Sequence, residues 1–61
     1  MQDLIAQREK ILVNAAECEL IAHLATDPGK RETFERLAKH LKQLAGELGV
    51  EIAAREDKDA A

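Results

Sequence analysis

The sequence predicts an all-α fold, an antiparallel helical hairpin, on three observations. Apolar residues recur at steps of three and four along two long stretches. A single strong break, Thr26-Asp27-Pro28-Gly29, separates those stretches. The chain is rich in Ala, Glu, Lys, Leu and Arg, the composition of long helices and coiled coils. Steps of three and four keep side chains on one face of a helix, whereas a half-buried strand would alternate.

The first helix is expected over about residues 3–25, a stretch with neither Pro nor Gly. At about 100° per residue, Leu4, Ile11, Ala15, Cys18, Ala22 and Ala25 line one face, and Ile5 and Leu12 widen it. Val13, Leu20 and Leu24 form a second stripe nearly opposite, with Ile21 between the two.

Asp27 reads as the N-cap of the next helix, because its carboxylate can accept from the free amides of a first turn. Pro28 suits the first helical position, where a missing N–H loses no partner. The connection is then about two residues long, which makes the two helices antiparallel neighbours.

The second helix is expected over about 28–54. Phe34, Leu37, Leu41, Leu44 and Leu48 make a heptad seam, flanked by Ala38, Ala45 and Ile52. Glu32 with Arg36 and Glu35 with Lys39 are i,i+4 pairs in the better orientation, each worth roughly 0.2–0.5 kcal/mol. Gly46 and Gly49 each cost about 1 kcal/mol in a helix interior. Two endings follow: a stop at Gly49 with Val50 closing a Schellman motif, or continuation to about Ala54, which keeps Ile52 on the stripe and pairs Glu51 with Arg55. Continuation strands fewer apolar residues. The domain is thus a hairpin over 1–55, and the charged segment 56–61 is expected to fray.

Composition bounds the function. The 61 residues carry a net charge of −3, are 46% apolar and have one aromatic, Phe34. That is too apolar for a disordered chain. There is no apolar run long enough for a membrane span, and no charged-then-apolar leader with a small-residue cleavage site. The expectation is a cytoplasmic protein with no membrane partner. One cysteine makes no internal disulfide framework.

A chain this short is marginal as a monomer. A 60-residue domain buries only about 60% of its unfolded surface, and a hairpin has no third layer. Without disulfide or metal, association is the remaining route. The expected state is a homodimer closing into a four-helix bundle. Its core would use Leu4, Ile11, Ala15, Cys18, Ala22, Phe34, Leu37, Leu41, Leu44 and Leu48. Parallel and antiparallel arrangements of the two hairpins fit the same stripes. The second stripe, Val13, Leu20 and Leu24, is the candidate surface for a protein partner, with burial inside the dimer as the alternative.

No catalytic, cofactor or metal site is expected, and no small-molecule substrate. Cys18 sits in the apolar stripe, where cysteine commonly acts as a small hydrophobe. His23 is five residues on, about 140° around the helix, so it cannot act as its base. Glu17 and Glu19 project apart and lack the Glu-x-x-His spacing of di-iron bundles. His23 and His40 would meet only if the fold joined them. The chain has no Gly-rich phosphate loop.

Nucleic acid is the alternative partner. Lys30, Arg31, Arg36, Lys39 and Lys42 stand against Glu32 and Glu35, a local excess of three positive charges of the kind that contacts phosphates. Phe34, however, belongs to the core and offers no base stacking.

The run Asp27-Pro28-Gly29-Lys30-Arg31-Glu32-Thr33-Phe34-Glu35-Arg36-Leu37-Ala38 resembles the second-helix start of short bacterial helical-hairpin proteins of unknown function, chiefly alphaproteobacterial. These show an Asp-Pro, an Arg three residues later, an aromatic three further on, and then Leu-Ala. Cys18-Glu19, Ala22 and Ala25 fit the same pattern. The resemblance covers about half the chain and implies a fold but no activity. The length, acidic balance and tight hairpin are also similar to the Rop plasmid regulators, dimeric four-helix bundles that bind paired RNA loops. Rop carries its RNA face on basic, polar and aromatic first helices. Here residues 1–27 hold two basic against five acidic residues and no aromatic, although Gln7, Lys10 and Asn14 form one polar line. The expected function is a small non-enzymatic helical interaction or regulatory protein acting as a dimer, with a Rop-like RNA binder using the basic helix face as the alternative.

Overall fold

The computed structural model describes residues 2–60, and side chains over 3–56. It is a hairpin of two packed helices, α1 (Gln2–Leu24) and α2 (Pro28–Ala60).

The turn forms as its residues dictate. Ala25 N–H donates to the Ala22 carbonyl at 3.3 Å, tightening the last turn of α1. Arg31 Nη2 then donates to the Ala25 carbonyl at 2.8 Å, a cation at a helix C-terminus. Asp27 is the N-cap of α2: Oδ1 accepts from Gly29 N–H at 3.3 Å, and its carbonyl accepts from Arg31 N–H at 3.0 Å. Among the described residues none has a positive φ, so the reversal is made without a left-handed residue.

α2 passes through Gly46 and Gly49 without a break and runs to Ala60, beyond the expected end near Ala54. The stop at Gly49 is not adopted. Continuation keeps Ile52 half-buried and lets Arg55 Nε donate to Glu51 Oε1 at 3.1 Å, the i,i+4 pair expected for that ending. The segment expected to fray, 56–61, lies largely outside the residues whose side chains are described.

The helices meet along an antiparallel heptad seam. On α1 the half-buried or buried residues are Leu4, Arg8, Ile11, Ala15, Cys18, Ala22 and, just past the helix end, Ala25. On α2 they are Phe34, Ala38, Leu41, Ala45, Leu48 and Ile52, with Gly49 beside them. These spacings of four and three are those of a and d positions. The a positions are Arg8, Ala15 and Ala22 on α1, and Ala38, Ala45 and Ile52 on α2. The d positions are the rest of the seam.

The seam differs from the expected one in its choice of flank. Ala38, Ala45 and Ile52, expected beside the α2 seam, are in it. Leu37 and Leu44, expected in it, stand at g positions and are 43% and 44% exposed. The reason is size: alanine lets two backbones approach, so α2 turns its alanines toward α1. Two contacts anchor the register. Arg8 Nε donates to the Ala45 carbonyl at 3.2 Å, and Lys42 Nζ lies 2.8 Å from Glu19 Oε1. Stepping the heptads from these anchors puts Ala22 level with Phe34, Ala15 with Leu41, and Ile11 with Ala45, so small faces large.

The hairpin is a rod of 52 × 14 × 11 Å with a radius of gyration of 14.6 Å. A compact domain of this length would have a radius near 10.5 Å. Among the described residues, only Ala15, Ala22, Ala38 and Ala45 are buried apolar residues, at 1–3% exposure, and no large side chain is fully buried.

Candidate protein-interaction surface

The seam divides the hairpin surface into two flanks of different chemistry. In heptad order the e positions adjoin a, and the g positions adjoin d. The e flank carries the Glu19–Lys42 pair, with Glu35 and Lys39 around it in a shallow cleft. Further along it, Arg8 and Gly49 line a second cleft with Ile5, Glu9, Ile52 and Glu56. Ile5 and Leu12 are the large apolar residues there, 39% and 37% exposed. Charges of both signs therefore border this flank.

The g flank is different. Ile21, Leu37 and Leu44 are exposed on it, and the d residues Ile11, Cys18, Phe34, Leu41 and Leu48 are only half-buried beside them. Phe34, Leu37, Leu41, Leu44 and Leu48 together form one continuous apolar strip on α2. Leu4, Ile11 and Cys18 continue it across the groove on α1. Over residues 28–56 of α2 charge enters the g line only at Lys30 and Glu51, one near each end, and Arg55, at the next d position, is paired with Glu51.

Of the residues expected in a dimer core, Ala15 and Ala22 are consumed between the two helices of the hairpin. The d residues Leu4, Ile11, Cys18, Phe34, Leu41 and Leu48 are shared between the seam and the open flank. Leu37 and Leu44 belong to the flank alone. Arg8 is the seam residue that apolar periodicity misses. A charged side chain at an a position carries no hydrophobic signal, and only the glycine four residues beyond Ala45 hints that something crosses there.

The second expected surface is also exposed. Val13, Leu20 and Leu24 are 55%, 58% and 70% accessible, on the back of α1 away from α2. Of the basic cluster, Lys42 is paired with Glu19, Arg36 lies 3.7 Å from Glu32, and Arg31 is bonded to the Ala25 carbonyl. Three of its five cations are thus engaged within the chain. The Glu35–Lys39 pair does not form among the described residues; those that do are Arg36–Glu32, Lys42–Glu19 and Arg55–Glu51.

Cys18 is a half-buried free thiol, and His23 and His40 are exposed on different helices. Among the described residues no three His, Cys, Asp or Glu side chains gather as a metal would need. No helix there is long and apolar enough to cross a membrane. No protein-family model, curated protein or solved structure matches the chain.

Proposed function

We propose that this chain is a small non-enzymatic helical interaction protein that works as a homodimer, two hairpins closing over their d/g flanks into a four-helix bundle. The observation that carries the reading is the exposed apolar flank on a hairpin whose fully buried apolar residues, among those described, are four alanines, its larger seam residues being only half-buried. Such a seam offers little hydrophobic stabilisation, because burial free energy scales with apolar area and alanine supplies little of it.

Surface area supports the same reading. A compact monomer of 6.7 kDa exposes about 3,900 Å², whereas this hairpin exposes 4769 Å². The excess, about 850 Å², is close to the roughly 800 Å² that one partner contributes to a standard interface. Folding and association are then one event, and the outer faces of the bundle, including Val13, Leu20 and Leu24, remain for a further protein. The resemblance of residues 27–38 to short bacterial helical hairpins fits a role of this kind.

Sedimentation equilibrium over a range of concentrations, with helicity followed by circular dichroism in the same samples, tests the reading. The expected result is a mass of two chains, with helicity lost as the dimer dissociates. Leu44→Glu is expected to abolish the dimer. A folded helical monomer would sink the proposal, and salt-sensitive retention of RNA by the dimer would favour the basic face of α2 as the working surface instead.

A further inference from the structure

We infer that the two hairpins associate antiparallel, α2 against α2 of a second copy about a twofold axis perpendicular to the helices, with Lys30 paired to the second copy's Glu51. This rests on the dimer reading above and fixes the arrangement that the stripes alone leave open.

The inference comes from the order of residues along the g flank of α2. Over residues 28–56 that flank reads Lys30, Leu37, Leu44, Glu51, one residue per heptad, and the Glu51 carboxylate, which accepts from Arg55 through Oε1, keeps its second oxygen for a further cation. The order is its own complement when reversed. An antiparallel copy centred between Leu37 and Leu44 sets leucine opposite leucine twice and lysine opposite glutamate twice. Leu37 and Leu44 are both exposed, at 43% and 44%, so each has apolar surface to offer the other.

Other arrangements lose this match. A parallel α2–α2 pair sets Lys30 against Lys30 and Glu51 against Glu51. Sliding the antiparallel pair by one heptad sets Leu37 opposite Glu51, or Lys30 opposite Leu44. Packing α2 against α1 of the second copy, in the register found within the hairpin, sets Leu37 opposite Ile21 but brings Leu44 opposite Asn14 and leaves Glu51 opposite Gln7. Opposite charges at such positions select pairing and orientation more than they add affinity. On α1 the antiparallel axis passes close to Asn14, whose amide both donates and accepts and is therefore self-complementary.

Two measurements test the arrangement in the full chain. In a Cys18→Ala, Ala54→Cys chain, a nitroxide at position 54 reports the distance between copies. Antiparallel hairpins place the labels roughly 40 Å apart along the axis, at 1.5 Å per residue. Arrangements with both turns at one end keep them within the bundle width, under about 25 Å. Separately, Lys30→Glu turns two attractive pairs into two repulsive ones and is expected to weaken dimerisation about tenfold at low salt. Adding Glu51→Lys restores it, both changes being made in an Arg55→Gln background so that the intrahelical Glu51–Arg55 pair does not intervene. A dimer with a short label distance, or one indifferent to Lys30→Glu, overturns the arrangement while leaving the dimer standing. A chain whose sedimentation shows no dimer overturns the underlying reading itself.

Discussion

Arg8 and Gly49 fit one another across the hairpin. The Arg8 Nε donates to the Ala45 carbonyl at 3.2 Å, and a Cβ on residue 49 would come within 3.3 Å of that same nitrogen. The glycine leaves the space through which a charged side chain crosses an otherwise apolar seam. Gly46, one position after the accepting carbonyl, would meet nothing within 4 Å.

The two glycines should therefore respond differently to alanine. Gly46→Ala is expected to stabilise by about 1 kcal/mol, the helix-propensity gain alone. Gly49→Ala gains the same propensity but crowds a hydrogen bond worth about 1 kcal/mol, so its net effect is expected near zero. In an Arg8→Ala chain, Gly49→Ala should recover the full gain. Urea unfolding of the four variants at one protein concentration measures this, and equal effects of the two alanines in the parent chain would refute the pairing.

A second expectation concerns the turn. Asp27 Oδ1 holds the Gly29 amide, and Pro28 supplies the preset φ of the first helical residue. Asp27→Ala is expected to cost about 1 kcal/mol and Asp27→Asn only a few tenths, since asparagine caps nearly as well. Arg31→Ala, which frees the Ala25 carbonyl, should cost less than Asp27→Ala, because that oxygen is exposed and water replaces the donor. Thermal unfolding at fixed concentration reads all three. A larger loss from Arg31→Ala would place the weight of the turn on α1 instead.

Much of this architecture is legible in the sequence, and the limits of legibility are physical. Asp27-Pro28 announces a boundary because capping chemistry is local. The two helices follow from period alone, and α1 ends within one residue of its expected end. What period cannot decide is which of two adjacent lines on α2 faces α1. Phe34, Leu41 and Leu48 belong to both. Leu37 and Leu44 compete with Ala38 and Ala45 for the third place, and hydrophobicity favours the leucines. Close approach favours the alanines, which a count of apolar residues does not weigh. Arg8 is hidden for the opposite reason, since its stem packs as an apolar residue while its head is charged. The candidate interaction flank is thus readable as apolar, but its separation from the seam is not.

If close approach holds the hairpin, enlarging an alanine should harm it more than its hydrophobicity helps. Ala38→Leu and Ala45→Leu each insert a side chain where exposure is 3% and 1%. Overpacking of this kind costs about 1–3 kcal/mol. Ala53→Leu, at an exposed position of the same helix, is the control and should be close to neutral. Unfolding midpoints of the three variants decide the matter. An increase in stability from Ala45→Leu would show that the seam is looser than its alanines imply.

The stripe on the back of α1 separates an internal from an external role for apolar surface. Val13 and Leu20 stand at f positions, away from both α2 and the d/g flank, with Leu20 58% exposed, while Leu24 at c borders Ile21. A polar residue at position 20 should therefore leave the fold and the dimer untouched. Leu20→Gln is the cleaner test, because Leu20→Glu adds a like charge three residues from Glu17, a cost of roughly 0.2–0.5 kcal/mol. Glutamine has nearly the helix propensity of leucine. Unchanged mass and helicity, with loss of a protein captured by the parent chain, would assign the stripe to a partner. Loss of the dimer on Leu20→Gln would instead put the stripe inside the assembly, and the d/g flank could not then be the sole contact between copies.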